Sequence, residues 1–200
     1  MTHPFDYPPE PHVRRHGPVG YAERASFRPW LRDEFSFRCV YCLLREQWDR
    51  VRAVFDIDHF QATAIRPDLA LDYDNLLYAC ATCNATKREL EVPDPLPVLT
   101  QANIRVSEDG RLETDSPEAA CLIELLGLNN DDAVEFRMTW IGIIAMAARA
   151  DPALHRKLMR FPNDLPDLTR MRPPGGNKRP EGVALSCHAR KQRGELAESY

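Results

Sequence analysis

No apolar run in this 200-residue chain approaches the length of a bilayer. The longest strongly apolar stretch, Trp140 to Ala148, has nine residues, where a membrane-spanning helix needs about 20. The N-terminus lacks the charged-then-apolar pattern of a secretory signal. Membrane insertion and classical secretion are therefore poor readings, and a cytoplasmic, reducing location is expected. In such a compartment the six cysteines argue for metal or buried thiols before disulfides. Lysine is scarce as well: 22 of the 26 basic residues are Arg. A guanidinium fork suits phosphate, although a biased genome composition yields the same count. A net excess of basic charge is also missing, the formal charge being -4. That mean hides an acidic middle: residues 1–52 carry +2, 53–135 carry -12 and 136–200 carry +6.

The length fits one main globular unit able to bury a core without disulfide staples. Five prolines in the first eighteen residues predict an extended arm over 1–20 with no fold of its own. Arg14, Arg15 and His16 sit on that arm, where solvation or contact with a phosphate backbone are both open. Ser26 and Pro29 suggest a short helix start, with Trp30, Leu31 and Phe35 at core spacing. Val51 to Phe60 reads as a strand ending in an acid-His pair. The proline-rich run Val92 to Pro97 is the expected boundary of a first module spanning 21–92. The second part, 98–170, reads as a hairpin about Asp109-Gly110 followed by helices. Ser116-Pro117 opens one helix, on which Leu122, Leu125 and Leu126 share a face. A longer helix begins near Asp131 and, being apolar nearly all round, is expected at the centre of the C-terminal half. A short helix follows Asp151-Pro152. Residues 171–200 are expected to be a disordered tail. The fold class is α+β.

Chemistry concentrates in Cys39-x-x-Cys42 and Cys80-x-x-Cys83, two pairs separated by 37 residues. Two such knuckles can close a tetrahedral thiolate shell around a structural zinc ion. The long spacer requires a folded insertion between them. Cys121 reads as a buried helix thiol, and Cys187 with His188 lies in the presumed tail.

Inside that insertion lies Asp56-Ile57-Asp58-His59. Asn75-Leu76-Leu77 follows, and Asn84 directly succeeds Cys83 in a Cys80-x-x-Cys83-Asn84-x-x-Lys87 ending. From Cys39 to about Leu90, a quarter of the chain, this pattern resembles the HNH endonuclease family. The resemblance implies a ββα-metal (His-Me finger) core. It also implies that His59 is the general base, that Asp58 and Asn84 hold a catalytic Mg2+ or Mn2+ ion, and that Asn75 fixes the loop orienting His59. An Asn at the position of Asn84, where the family's name expects His, leaves an oxygen-rich and partly hydrated site. Asp56 falls on the same strand face as Asp58 and reads either as a third carboxylate near the ion or as a solvated acid, with a slight preference for the latter.

Lys87 and Arg88 lie one turn past Asn84, either at the phosphate flank or on a solvated face. Arg45, Arg50 and Arg52 lie between the first knuckle and the strand, where backbone contacts to nucleic acid are expected. The expected activity is therefore metal-dependent hydrolysis of nucleic acid, DNA above all, of the kind that serves in restriction, phage defence or mobile elements. The alternatives are an RNA-directed nuclease and a catalytically silent zinc-stabilised module that binds nucleic acid or a protein. The C-terminal helices offer a surface for a protein partner or a second copy.

Overall fold

The computed structural model describes residues 3–48 and 55–200. Arg50, Arg52 and the first half of the expected strand lie outside the described residues. Helix α1 (Arg28–Glu34) follows a 3-10 turn at Arg24–Phe27 and buries Trp30 and Leu31. Strands β1 (Phe55–His59) and β2 (Leu76–Cys80) form an antiparallel pair, with Phe55 opposite Cys80 and His59 opposite Leu76. The chain passes directly from β2 into helix α2 (Ala81–Lys87). Every residue of β2 is buried, as suits a strand covered on both faces, and the Tyr78 ring stacks on Phe55 at 5.0 Å.

A four-residue helix α3 (Pro95–Val98) is capped by Asp94, whose carboxylate accepts from the Leu96 amide. It leads to the hairpin of β3 (Arg105–Val106) and β4 (Leu112–Glu113). Gly110 turns this hairpin at φ +79°, where a side chain would be strained. Helix α4 (Pro117–Leu125) is capped by Ser116, and α5 (Asp131–Ala150) by Asn130. Helix α6 (Pro152–Met159) is capped by Asp151, whose carboxylate accepts from Ala153 and Leu154. Helix α7 (Cys187–Gln192) closes the order of elements. Among the described residues no helix is long and apolar enough to cross a membrane.

Four expectations are corrected. The N-terminal arm is extended but not solvated: Phe5, Tyr7 and His16 are buried. The cause is charge pairing with α1. Glu34 accepts from the His12 ring and from the backbone amides of Arg15 and His16. Asp33 meets the His16 ring at 2.8 Å, and the Arg14 guanidinium lies over Phe35 and Tyr73. The tail is likewise packed. Its residues 175–178 pair with Gly17 and Val19, and the Cys187 amide donates to Asp33 at 2.7 Å. A Cβ at Gly182 would fall 1.7 Å from the Arg15 carbonyl oxygen, so the glycine-rich composition serves close approach here and not disorder.

The boundary at Val92 to Pro97 does not divide the core. One hydrophobic cluster runs from Phe5 through Leu77 to Leu99, Leu122 and Leu168. Helix α5, expected at the centre, lies at the surface: it buries only Arg137, Ile144 and Ala147, while Phe136, Met138 and Met146 are exposed. Its anchor is Trp140, stacked on Trp48 with ring centroids 4.4 Å apart. On α4, Leu122 and Leu126 are buried and Leu125 is exposed.

Candidate metal centre and the adjoining polar site

The four knuckle cysteines converge. The first knuckle is a tight hairpin in which the Cys39 amide donates to Leu44 O and the Leu43 amide to Cys39 O, with Leu43 in the left-handed region. The Val40 amide donates to Tyr78 O, tying this knuckle to the strand that delivers Cys80. The 37-residue spacer is thus closed by the return of the β1–β2 pair. All four sulfurs lie within 4.8 Å of one another, and those of Cys42 and Cys80 are 3.7 Å apart. Zinc–sulfur bonds of about 2.3 Å in a tetrahedron require sulfurs about 3.8 Å apart, so the cage fits a zinc ion. Hydrogen bonds from the other three sulfurs push the Cys80 thiol far down. Burial pushes Cys39 up, and hydrogen bonds within the cluster push Cys83 up. Sulfurs that stabilise one another's thiolate only by sharing protons are the setting a divalent cation relieves. Cys121 is half-buried on α4 and Cys187 is buried on α7; neither belongs to the cluster.

Beside the cage, β1 and α2 hold the expected polar residues. The amide nitrogen of Asn84 lies 3.2 Å from Asp56 Oδ2, and both residues are partly exposed. Asp56 Oδ1 accepts from the Ile57 amide, and the guanidinium groups of Arg24 and Arg28 stand 3.8 and 3.9 Å from it. Asp58, in contrast, is buried. The Tyr41 hydroxyl donates to its Oδ2 at 2.6 Å and Lys87 Nζ to its Oδ1 at 3.3 Å. Burial raises the Asp58 carboxyl against the opposing pull of Lys87 and Tyr41. Among the described residues the Asn84 side chain thus contacts Asp56, while Asp58 is held by Tyr41 and Lys87.

His59 Nε2 lies 3.0 Å from the Ala70 carbonyl oxygen. A carbonyl only accepts, so Nε2 carries the proton and Nδ1 holds the lone pair. Nδ1 has no hydrogen-bond partner among the described residues. Asn75 is buried and clamps the loop between the strands: its side-chain oxygen accepts from the Gln61 amide, and its amide nitrogen donates to Gln61 O and Leu69 O. The Leu69 contact sits one residue from Ala70, so Asn75 braces the peptide that holds His59.

The arginine and lysine expectations divide. Lys87 is fully buried, its ammonium held between Asp58 and the His59 carbonyl oxygen at 2.6 Å; it is an internal counter-ion and does not reach solvent. Arg45 is also fully buried, between the rings of Trp48 and Tyr200, and forms no part of an outer phosphate-binding face. Arg88 is exposed next to Asn84's helix. Tyr41, Arg24, Arg28 and the Ala70 carbonyl were not singled out in the sequence. Only Tyr41 left a trace there, as an aromatic inside the first knuckle.

No family model, curated protein or solved structure matches the chain.

Proposed function

We propose that the chain is a metal-dependent endonuclease of the HNH kind, hydrolysing phosphodiester bonds of DNA beside a structural zinc ion. The observation that carries the reading is the bond from His59 Nε2 to the Ala70 carbonyl, which leaves Nδ1 as the basic nitrogen at the end of the strand bearing Asp56 and Asp58. In this reading His59 takes a proton from the attacking water, and the Ala70 carbonyl stabilises the imidazolium that results. Asn75 positions His59 through the loop it clamps. Asp56 and Asn84, two partly exposed oxygen-bearing side chains in contact, would hold Mg2+ or Mn2+, whose hard-oxygen preference they match. Asp58 would join them only by giving up Lys87 and Tyr41. When bound, the ion supplies positive charge against the charge growing on the phosphorane and the departing oxygen. Arg24 and Arg88 are exposed and Arg28 is half-buried beside Asp56 and Asn84, and the three would contact flanking phosphates. They also offset the acidic middle block, which would otherwise repel a polyanion.

The test is nicking of supercoiled plasmid with added Mg2+ or Mn2+, run with His59→Ala alongside. Nicking by the wild type and its loss in His59→Ala are expected. Absence of nicking under every divalent ion, or equal nicking by the variant, would overturn the reading. Single-stranded DNA and structured RNA in parallel reactions decide the sugar.

A second reading is a silent zinc-stabilised binding module, favoured by the capture of Asp58 in an internal ion pair. It requires DNA or protein binding without cleavage, unaffected by His59→Ala.

A further inference from the structure

A second polar cluster lies on the far side of the first zinc knuckle. Arg38 and Arg45 pair across that knuckle as an isolated antiparallel bridge, and both guanidinium groups lie over the Tyr200 ring, at 4.8 and 4.4 Å from its centroid. Arg45 is 0% exposed, yet its Nε and both terminal nitrogens have no hydrogen-bond partner among the described residues. The Nε of Arg38 and the hydroxyl of Tyr200 are also buried and without a partner. Every one of these unmet groups offers a proton. Among the described residues neither arginine makes an ion pair, and burial together with the neighbouring Arg38 charge pushes the Arg45 guanidinium down to about 9 against the opposing pull of the Tyr200 hydroxyl. A fully buried guanidinium beside a half-buried one, with no ion pair to either among the described residues, is costly, so the cluster suits an acceptor-rich anion.

Arg38 and Tyr200 form one wall of a cavity of about 330 Å³, within the range of small-molecule sites. Its other walls are largely apolar, with Leu43, Leu96 and Leu99 among them. Two carboxylates also line it. Glu34 is occupied by His12, the arm amides and Tyr73, and Asp6, which accepts from the His3 amide, lends some negative charge to Arg38. Arg45 lies one layer behind the Tyr200 ring, which in turn stacks on Phe161 at 4.4 Å.

We propose that Arg38, Arg45 and the Tyr200 hydroxyl form a binding site for the anionic head, phosphate or carboxylate, of a small molecule whose apolar body fills the adjoining cavity. The head group sits at Arg38 and, by turning the Tyr200 ring aside, reaches the donors of Arg45. A cavity of this size admits a small molecule and not a duplex, so the site is separate from the nuclease reading and does not depend on it.

The probes are phenyl phosphate, benzoate, inorganic phosphate and phenol, followed by thermal unfolding and calorimetric titration of the full chain. Phenyl phosphate or benzoate is expected to bind and raise the melting temperature, and the one that does so better names the head group. Phenol is expected to do neither, and inorganic phosphate to bind more weakly than phenyl phosphate. Arg38→Gln, at a half-buried position, should weaken binding about tenfold or more, while His59→Ala should leave it unchanged. Arg45→Met should raise the melting temperature of the unliganded chain and abolish the ligand-induced rise. No effect of either organic anion, an equal effect of phenol, or undiminished binding by Arg38→Gln would overturn the site. Inorganic phosphate matching phenyl phosphate would overturn the role of the apolar cavity.

Discussion

Lys87 and Asp58 form an ion pair at 3.3 Å with their side chains 0% and 3% exposed. Each charge is tolerated inside the core only because the other is there, together with the Tyr41 hydroxyl and the His59 carbonyl. Lys87→Met leaves a buried carboxylate without its cation and should cost about 3–5 kcal/mol. Adding Asp58→Asn should recover most of that loss. Urea unfolding of the two single variants and the double variant measures the coupling directly.

In the proposed reading Asp56 and Asn84 do different work from Asp58. Asp56→Asn should raise the divalent-ion concentration needed for half-maximal nicking about tenfold or more, with little change in melting temperature. Asp58→Asn should act first on stability. If a titration of Mn2+ against plasmid nicking gives Asp58→Asn the larger shift in metal requirement at unchanged stability, the ion sits deeper than proposed.

The sulfur cage should hold one zinc ion per chain. Cys39→Ser should lower zinc content and unfold much of the protein, because the cage ties the first knuckle to the end of β2 and the β1–β2 pair hangs between them. Elemental analysis with far-ultraviolet circular dichroism checks both. A folded variant with unchanged zinc would rule out the four-cysteine site.

Acid should release the arm. Burial pushes the Glu34 carboxyl up, but hydrogen bonds from His12 and the Arg15 amide, with the nearby histidine charges, outweigh it and hold the group at about 2. A carboxyl whose folded value lies below its unfolded one adds stability that is full above about pH 4.5 and is lost as pH falls towards 2. The contribution is on the order of 3 kcal/mol at neutral pH. Glu34→Gln should be less stable than wild type at pH 7, and the difference should shrink across that acid range in urea unfolding.

The four-cysteine cluster was readable from sequence because its spacing is itself the geometry: two residues inside each pair leave few other ways to bend. The same holds for the caps at Ser116 and Asp151 and for the turn at Gly110, each fixed by neighbours a few residues away. What escaped was set by distance along the chain. His12 and His16 look like arm residues until Asp33 and Glu34 meet them, and Lys87 looks like a helix surface residue until Asp58 takes its charge. The resemblance implied Asp58 for the ion and the residues alone left Asp56 open; the two alternate positions share a strand face, and only the placement of α2 decides which one Asn84 touches. Proline and glycine in 172–182 read as disorder, but Gly182 is there because the Arg15 carbonyl leaves no room for a side chain.

The bond from the Cys187 amide to Asp33 spans 154 residues, and it lies beside the His16 pair that anchors the arm. During synthesis this junction cannot close until residue 187 has left the ribosome, and pairings so far apart in sequence form slowly. Asp33 Oδ2 and Glu34 find their partners in the arm and Tyr73, but Asp33 Oδ1 waits for the stretch around Cys187 to arrive. If the strand pair and sulfur cage need helix α1 firmly seated, they too are completed only once the stretch around Cys187 has emerged.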